Sequence, residues 1–320
     1  MSAPIETPAH DDVADADREK YTKLLARLSA LSVTHHFDAY GDIDWDATEF
    51  VIDPADPRWE LPSYDPITET DWYRALSPET KARFGLDSIA SAMKLGLEFE
   101  RVLKQGLLEF AGTLPNGAPE FRYAYHEVIE EAQHSLMFQE FVNRSGFDAA
   151  GLTPSDRFGA RFIKALGRVF PPMLFIFVLG GEEPVDYLQR KALRSGGDLH
   201  PLFERVMRIH VTEEARHVSF ANSYLRTSVA GLSWFGRSPL AIGAPIILAI
   251  MAQKMMKPSP QLIKAYDIPR SVIVEAYDKN PAHRAETIAS IRRVRRLCDD
   301  MGLVTPRYRW LWRRVGLDDS

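Results

Sequence analysis

The chain is poor in everything that builds a sulfur-based or covalently stapled site. Among its 320 residues there is one cysteine, Cys298. A lone thiol forms no intrachain disulfide and no iron–sulfur or structural zinc centre, so any metal held here takes oxygen and nitrogen ligands. Cys298 itself reads as a small buried hydrophobe. Positive charge is not in excess either: the formal net charge is -5. That argues against nucleic acid as a partner, because phosphate neutralisation needs clustered cations. Long apolar runs are missing. Val169–Gly181 and Pro239–Ala252 are each about 13–14 residues, against the roughly 20 that a membrane-spanning helix requires. Both read as buried helices of a large bundle with no membrane span, and attachment of the second to a membrane is the lesser reading. There is no long β-alternating stretch and no repeat of solenoid length. Gly180-Gly181 lacks the strand–turn–helix context of a dinucleotide fingerprint, so any reducing electrons come from an external electron donor. The opening segment MSAPIETPAHDDVADADREK is polar and acidic. It reads as a disordered arm over residues 1–20 of a cytoplasmic protein, since no signal-peptide core is visible.

What remains is helical. Hydrophobic residues make up 45% and charged residues 26%, ordinary for a globular chain long enough to bury a large core. One helical domain is expected over 21–320. Helix-like stretches cover Glu19–Leu31, Ser88–Ala111, Phe121–Asn143, Asp156–Phe170, Met173–Ser195, Leu202–Ser228, Pro239–Met256, Pro260–Tyr266, Arg270–Tyr277 and Pro281–Met301. Ser77-Pro78-Glu79 is a cap, a first-turn proline and an acid, which together start a helix. Residues 32–75 show no long period and read as an ordered wrap anchored by Trp45, Trp59 and Trp72. Long helices with short polar breaks predict an all-α fold with a four-helix bundle at its centre. A homodimer follows from that class alone.

Two segments carry the chemistry: Glu131-Ala-Gln-His134 and Glu214-Ala-Arg-His217. Positions i and i+3 share a helix face, so a carboxylate and an imidazole there reach one ion together. A single Glu-x-x-His is a weak signal, because both residues are common on solvated faces. Two copies on separate helices are not readily accidental. Dimetal sites in four-helix bundles use such a pair from each of two helices and one Glu from each of the other two. The helix before the first motif offers Glu98 and Glu100. Glu100 sits on the otherwise apolar stripe Met93, Leu97, Leu103, Leu107, whereas Glu98 shares its face with Lys94, Arg101 and Gln105. An acid in an apolar stripe is costly unless compensated, which selects Glu100. The helix before the second motif offers Glu182 and Glu183, and periodicity does not separate them. His210 lies one turn before Glu214 and two before His217, so all three share a face and one ion would receive more nitrogen ligands than the other. Carboxylates and imidazoles suit redox-cycling iron; manganese tolerates the same set.

The order Glu100, Glu131-x-x-His134, Glu183, His210-x-x-x-Glu214-x-x-His217 resembles the p-aminobenzoate N-oxygenase family of ferritin-like diiron enzymes, which carries an extra histidine where His210 stands. Leu28–Trp45 (LSALSVTHHFDAYGDIDW) also resembles that family's N-terminal region, and the likeness runs over most of residues 25–300. The resemblance favours Glu183 over Glu182 and Glu100 over Glu98. It implies a ferritin-like bundle with flanking helices, two iron ions, dioxygen as co-substrate, and oxidation of a small organic substrate such as an aryl amine. Glu130 and Glu213 stand where many relatives have Asp, and become candidates for orienting a ligand histidine on a neighbouring helix. The competing readings are a manganese–iron oxidase or carbon hydroxylase of the same fold, and a non-catalytic iron-binding protein. The extra imidazole speaks against storage, since it holds the ions more firmly. A metal-free bundle would bury these acids at great cost. The basic run Arg292-Arg293, Arg295-Arg296 reads as a solvated helix face, and Arg307–Arg314 as an amphipathic segment packed on the bundle or at a dimer contact.

Overall fold

The computed structural model describes residues 10–318. All regular elements among them are helical. α1 runs His10–Thr34, so the helix takes in residues 10–20 of the stretch expected to be an arm; residues 1–9 lie outside the described residues. Tyr21, Leu25 and Leu28 recur at helical spacing and are buried, which seats α1 on the bundle. The wrap that follows is built of short 3₁₀ turns at Thr48–Phe50, Pro57–Trp59 and Pro66–Glu69, and a single turn, α2, Asp71–Arg74. Two of its three tryptophans are buried. Trp59 stacks on His200 with ring centres 4.1 Å apart, and Trp72 meets Phe84 edge-on. A Cβ at Gly85 would sit 1.8 Å from the Trp59 carbonyl oxygen. Only glycine lets the wrap press its backbone onto the next helix.

That helix, α3, runs Pro78–Ala111, with the Ser77 side chain accepting from Thr80 N as the Ser-Pro-Glu signal predicts. α4 (Pro119–Ser145) ends at Gly146, whose φ of 71° is the left-handed C-cap that favours glycine. α5 (Pro154–Val169) is capped by Thr153. It stops at Phe170, and α6 (Pro171–Arg194) starts at once, because Pro171-Pro172 cannot donate into a continuing helix yet suits a first turn. α7 (Pro201–Ala230) completes the central four, α3, α4, α6 and α7. α4 and α7 run antiparallel: Phe141 meets Phe203 at one end and Tyr123 meets Phe220 at the other.

α8 runs Trp234–Met255 against α6. The helix begins five residues before the run expected from Pro239. The stretch Trp234–Ala265 is thereby long and apolar enough to cross a membrane, and 44% of its most apolar window is buried in the protein. Short helices finish the chain: α9 Pro260–Ala265, α10 Arg270–Ile273 running into a π-helical turn Val274–Asp278, α11 Pro281–Ser290, α12 Arg292–Asp300 and α13 Pro306–Arg314. The helix expected over Pro281–Met301 is broken at Ile291. Trp312 of α13 is buried under the Arg295 guanidinium, and Cys298 is buried as read.

Candidate metal centre

Each central helix delivers acids or imidazoles to one level of the bundle. α3 supplies Glu100, α4 supplies Glu131 and His134, and α7 supplies His210, Glu214 and His217. From α6 comes Glu182. Ligand atoms of Glu100, His134 and His210 lie within 4.8 Å of one another, as do those of Glu131, Glu214 and His217, and those of Glu182, His210 and Glu214. Glu214 therefore touches both ends of the cluster: its Oε1 is 3.4 Å from His134 Nδ1, 3.6 Å from His210 Nε2 and 3.2 Å from His217 Nδ1.

Six of the seven residues expected to gather do so. The seventh, Glu183, is a correction. Its Oε2 accepts from the Val294 backbone N–H of α12 at 3.0 Å, and its neighbour Glu182 takes the place in the cluster. The reason is the face of α6 that meets α7. Phe175 packs on Phe220, Glu182 belongs with Glu214, and Gln189 bonds His210. Those three α6 residues are spaced by seven and form one stripe. Glu183 is a third of a turn away and looks toward α12. Gly181 makes the approach of α6 to α3 feasible, because a Cβ there would meet the Phe99 ring at 2.2 Å. Of the α3 pair, Glu100 is in the cluster, and Glu98 turns out to an ion pair with Arg101 at 2.6 Å.

The three imidazoles are held from behind. His134 Nε2 lies 2.8 Å from Glu213 Oε2, His217 Nε2 2.7 Å from Glu130 Oε2, and His210 Nδ1 2.9 Å from Gln189 Oε1. Every one of these outer partners is an acceptor, so the outer nitrogen carries the proton and donates it. The inner nitrogens of His134 and His217 face carboxylates of the cluster, where a bound ion would take the place of a proton. The braces cross: an α7 acid holds the α4 histidine, and an α4 acid holds the α7 histidine. The expectation that Glu130 and Glu213 face neighbouring-helix histidines is thus met in the geometry. Arg216, which sequence reading passed over, ties the braces together, donating to Glu130 Oε1 at 2.8 Å and to Glu213 Oε1 at 3.2 Å while buried. Its one sequence signal is a cation three residues after Glu213, on the same helix face. Ser135 donates to Glu100 Oε2 at 2.8 Å, and Lys104 donates in turn to Ser135.

The site is closed to water. All seven clustered side chains are buried, none more than 2% exposed. A shallow cleft reaches His134 between Phe37, Gln133, Met137 and Ile209, too narrow to admit a water molecule. Both oxygens of Glu131, one oxygen each of Glu100, Glu182 and Glu214, and Nδ1 of His134 are buried without a hydrogen bond. Orphaned acceptors converging on one point are a large cost unless a cation sits among them. Four carboxylates match the charge of two divalent ions, and the donor set of carboxylate oxygen and imidazole nitrogen suits iron or manganese. The residues present fit such a pair.

The electrostatics point the same way. Burial, reinforced by Glu214 and Glu131, pushes Glu182 well above the usual carboxylate range. Burial likewise raises Glu100. Burial alone would depress His134 and His217, yet the surrounding carboxylates carry both well above an ordinary histidine. The cluster draws positive charge, proton or metal ion. Burial would raise Glu130 too, but its bonds to His217 and Arg216 hold it down at about 2, an ionised brace. One acid stands beside the cluster unused: Glu127, one turn before Glu131, is fully buried with neither oxygen bonded, and burial pushes it far up.

The p-aminobenzoate N-oxygenase AurF family matches residues 18–302. An uncharacterized protein of Mycobacterium tuberculosis (strain CDC 1551 / Oshkosh) is 40% identical over 303 residues, 95% of this chain and 89% of that protein. An uncharacterized protein of Mycobacterium bovis has the same identity and coverage. No solved structure matches the chain. With nearly the whole chain covered, and with buried Glu and His groups gathered as a dimetal carboxylate site requires, this protein belongs to the p-aminobenzoate N-oxygenase AurF family.

Proposed function

We propose that the protein is a non-haem diiron monooxygenase that uses dioxygen to oxidise a small organic substrate, in the first place the nitrogen of an aryl amine. One observation carries the reading. Three imidazoles, each braced on its outer nitrogen, turn their inner nitrogens toward a cluster of buried carboxylates in which both oxygens of Glu131 and one each of Glu100, Glu182 and Glu214 have no hydrogen bond. His134, His210 and Glu100 would hold one ion, and His217 and Glu131 the other, with Glu214 at both ends of the cluster and Glu182 beside His210 and Glu214.

When bound, reduced iron ions would supply electrons to dioxygen. The chain's residues do the rest. Glu213, Glu130 and Gln189 keep the outer N–H of each histidine occupied and so fix ring tautomer and direction. Phe138, with its ring centre 5.1 Å from that of His210, and Phe99, against Gly181, wall the cluster with apolar surface and exclude water. The extra imidazole His210 makes the two positions unequal, which favours catalysis over storage. We place the reaction in the cytoplasm with a separate electron donor, since the chain carries no nicotinamide or flavin fingerprint.

The test is elemental analysis after anaerobic loading with ferrous iron, followed by exposure to oxygen and a screen of aryl amines. Two irons per chain and oxidised amine product are expected. Glu182→Gln should lower the iron content and Glu183→Gln should leave it at two. A wild-type chain that takes up no stoichiometric metal would remove the basis of the reading. Iron uptake with hydroxylation of carbon and none of nitrogen would move the substrate class to the hydroxylases.

A further inference from the structure

Two helices on one side of the bundle carry apolar side chains outward. α5 has an inner face, Ala160, Ile163, Leu166 and Phe170, packed on the core. Beside it lies a second apolar stripe that points to solvent: Phe158 and Phe162, 60% and 61% exposed, and Val169, 77% exposed. Along the far edge of that stripe run Arg157, Arg161, Lys164 and Arg168, three or four residues apart on the helix. α8 repeats the pattern. Its outward line is Phe235, Pro239, Ile242, Ile246 and Ile250, with no charged residue between Arg237 and Lys254.

The two lines belong to one surface. Both helices pack on α6. Gly243 faces Met173, and Gly180 faces Leu248 and Met251, so α6 and α8 run parallel. α5 turns directly into α6 at Phe170 and therefore runs antiparallel to α8. An ion pair of 2.8 Å between Asp156 and Lys254 joins the start of α5 to the end of α8. At the other end of α8, Trp234 is exposed beneath the Arg307 guanidinium, 5.2 Å from its ring centre.

We infer that this α5–α8 face docks on an anionic lipid surface, with both helices lying along it and their outward phenylalanines and isoleucines entering the boundary between headgroups and acyl chains. Charge decides the occupant. In a chain of net charge -5, the one acid on these two helices is Asp156, already paired with Lys254. Arg157, Arg161, Lys164 and Arg168 make no ion pair among the described residues. A second copy packing by this same face would offer those cations no acid except Asp156, which Lys254 already holds. Lipid phosphates supply the missing opposite charge, and an apolar stripe bordered by cations and aromatic rings is the pattern of a helix lying in a membrane interface.

Sedimentation of the full chain with vesicles tests this. Binding to phosphatidylglycerol vesicles should exceed binding to phosphatidylcholine vesicles by roughly tenfold or more, and should weaken as salt rises. Reversing Arg157, Arg161 and Arg168 to Glu should abolish the preference, at about fivefold per cation. Phe158→Ser with Phe162→Ser should release the protein from either vesicle. These side chains are exposed, so melting curves of the variants should match the wild type. No sedimentation with phosphatidylglycerol, or binding that survives both sets of changes, would overturn the assignment. So would a stable dimer that the Phe158→Ser, Phe162→Ser pair converts to monomers, since the face would then belong to a second copy.

Discussion

α4 and α7 carry nearly the same five residues, Glu130-Glu131-x-x-His134 and Glu213-Glu214-x-x-His217, and antiparallel packing places them face to face. In each, the second acid and the histidine turn inward, and the first acid reaches across to hold the other helix's histidine. The likeness ends there. α7 adds His210 one turn before its motif and Arg216 inside it, and α4 has Gln133 and Glu127 at nearby positions. Gln133 faces the wrap, where it accepts from Ala39 N and donates to Asp38. Arg216 clamps both outer acids. The symmetric part of the motif aims ligands, and the asymmetric part, all on α7, makes one end of the site nitrogen-rich and locks the two helices together.

Breaking the lock should have the largest effect. Arg216→Met leaves Glu130 and Glu213 buried without their shared cation, and should cost about 3–5 kcal/mol of stability. Urea denaturation of the variant checks this, and a midpoint equal to wild type would show that the guanidinium is not needed to hold the helices together. Next come the inward histidines. His217→Ala and His134→Ala should each bring bound iron well below two ions per chain, by elemental analysis. Full loading of either would take that residue out of the ligand set, and unequal losses would show which end of the site binds more tightly. The outer acids should matter less, because their substitutions leave every inward donor in place. Glu130→Gln and Glu213→Gln should each weaken metal binding by about 10–100-fold, measured by competition with a chelator. Equal losses would support the crossed braces as equivalent. The residue that breaks the symmetry should show its effect chiefly in the reaction with dioxygen. His210→Ala should fold and hold iron but react more slowly with dioxygen in stopped-flow absorbance. An unchanged rate would mean that the third imidazole plays no part in the chemistry.

Much of this was legible one helix at a time. Spacing of i, i+3 and i+4 put His210, Glu214 and His217 on one face, and an acid in an apolar stripe singled out Glu100, because a helix's own period fixes which of its side chains point the same way. The cap and proline Ser77-Pro78 marked a helix start for the same local reason, since both act within a turn of themselves. The choice between Glu182 and Glu183 was not local. Adjacent residues differ by a third of a turn, and both follow an apolar run, so only the placement of α6 against both α7 and α12 tells which acid faces the cluster. Likeness to the family pointed to Glu183, and the stripe Phe175, Glu182, Gln189 gives the other answer.

α8 shows the same limit. Its composition reads as a buried bundle helix, yet Phe235, Ile242, Ile246 and Ile250 are left outward, because α6 covers one side of the helix only. By itself, then, the sequence determined the helices, their inward faces and the chemistry of the donors, since these follow from residue type and period. The tertiary structure decided which of two neighbouring acids enters the site, that each brace crosses to the opposite helix, that Arg216 joins the braces, and which apolar face stays uncovered. Each of those depends on how two helices are rotated and offset against one another, a quantity set by packing over the whole core and carried by no single segment.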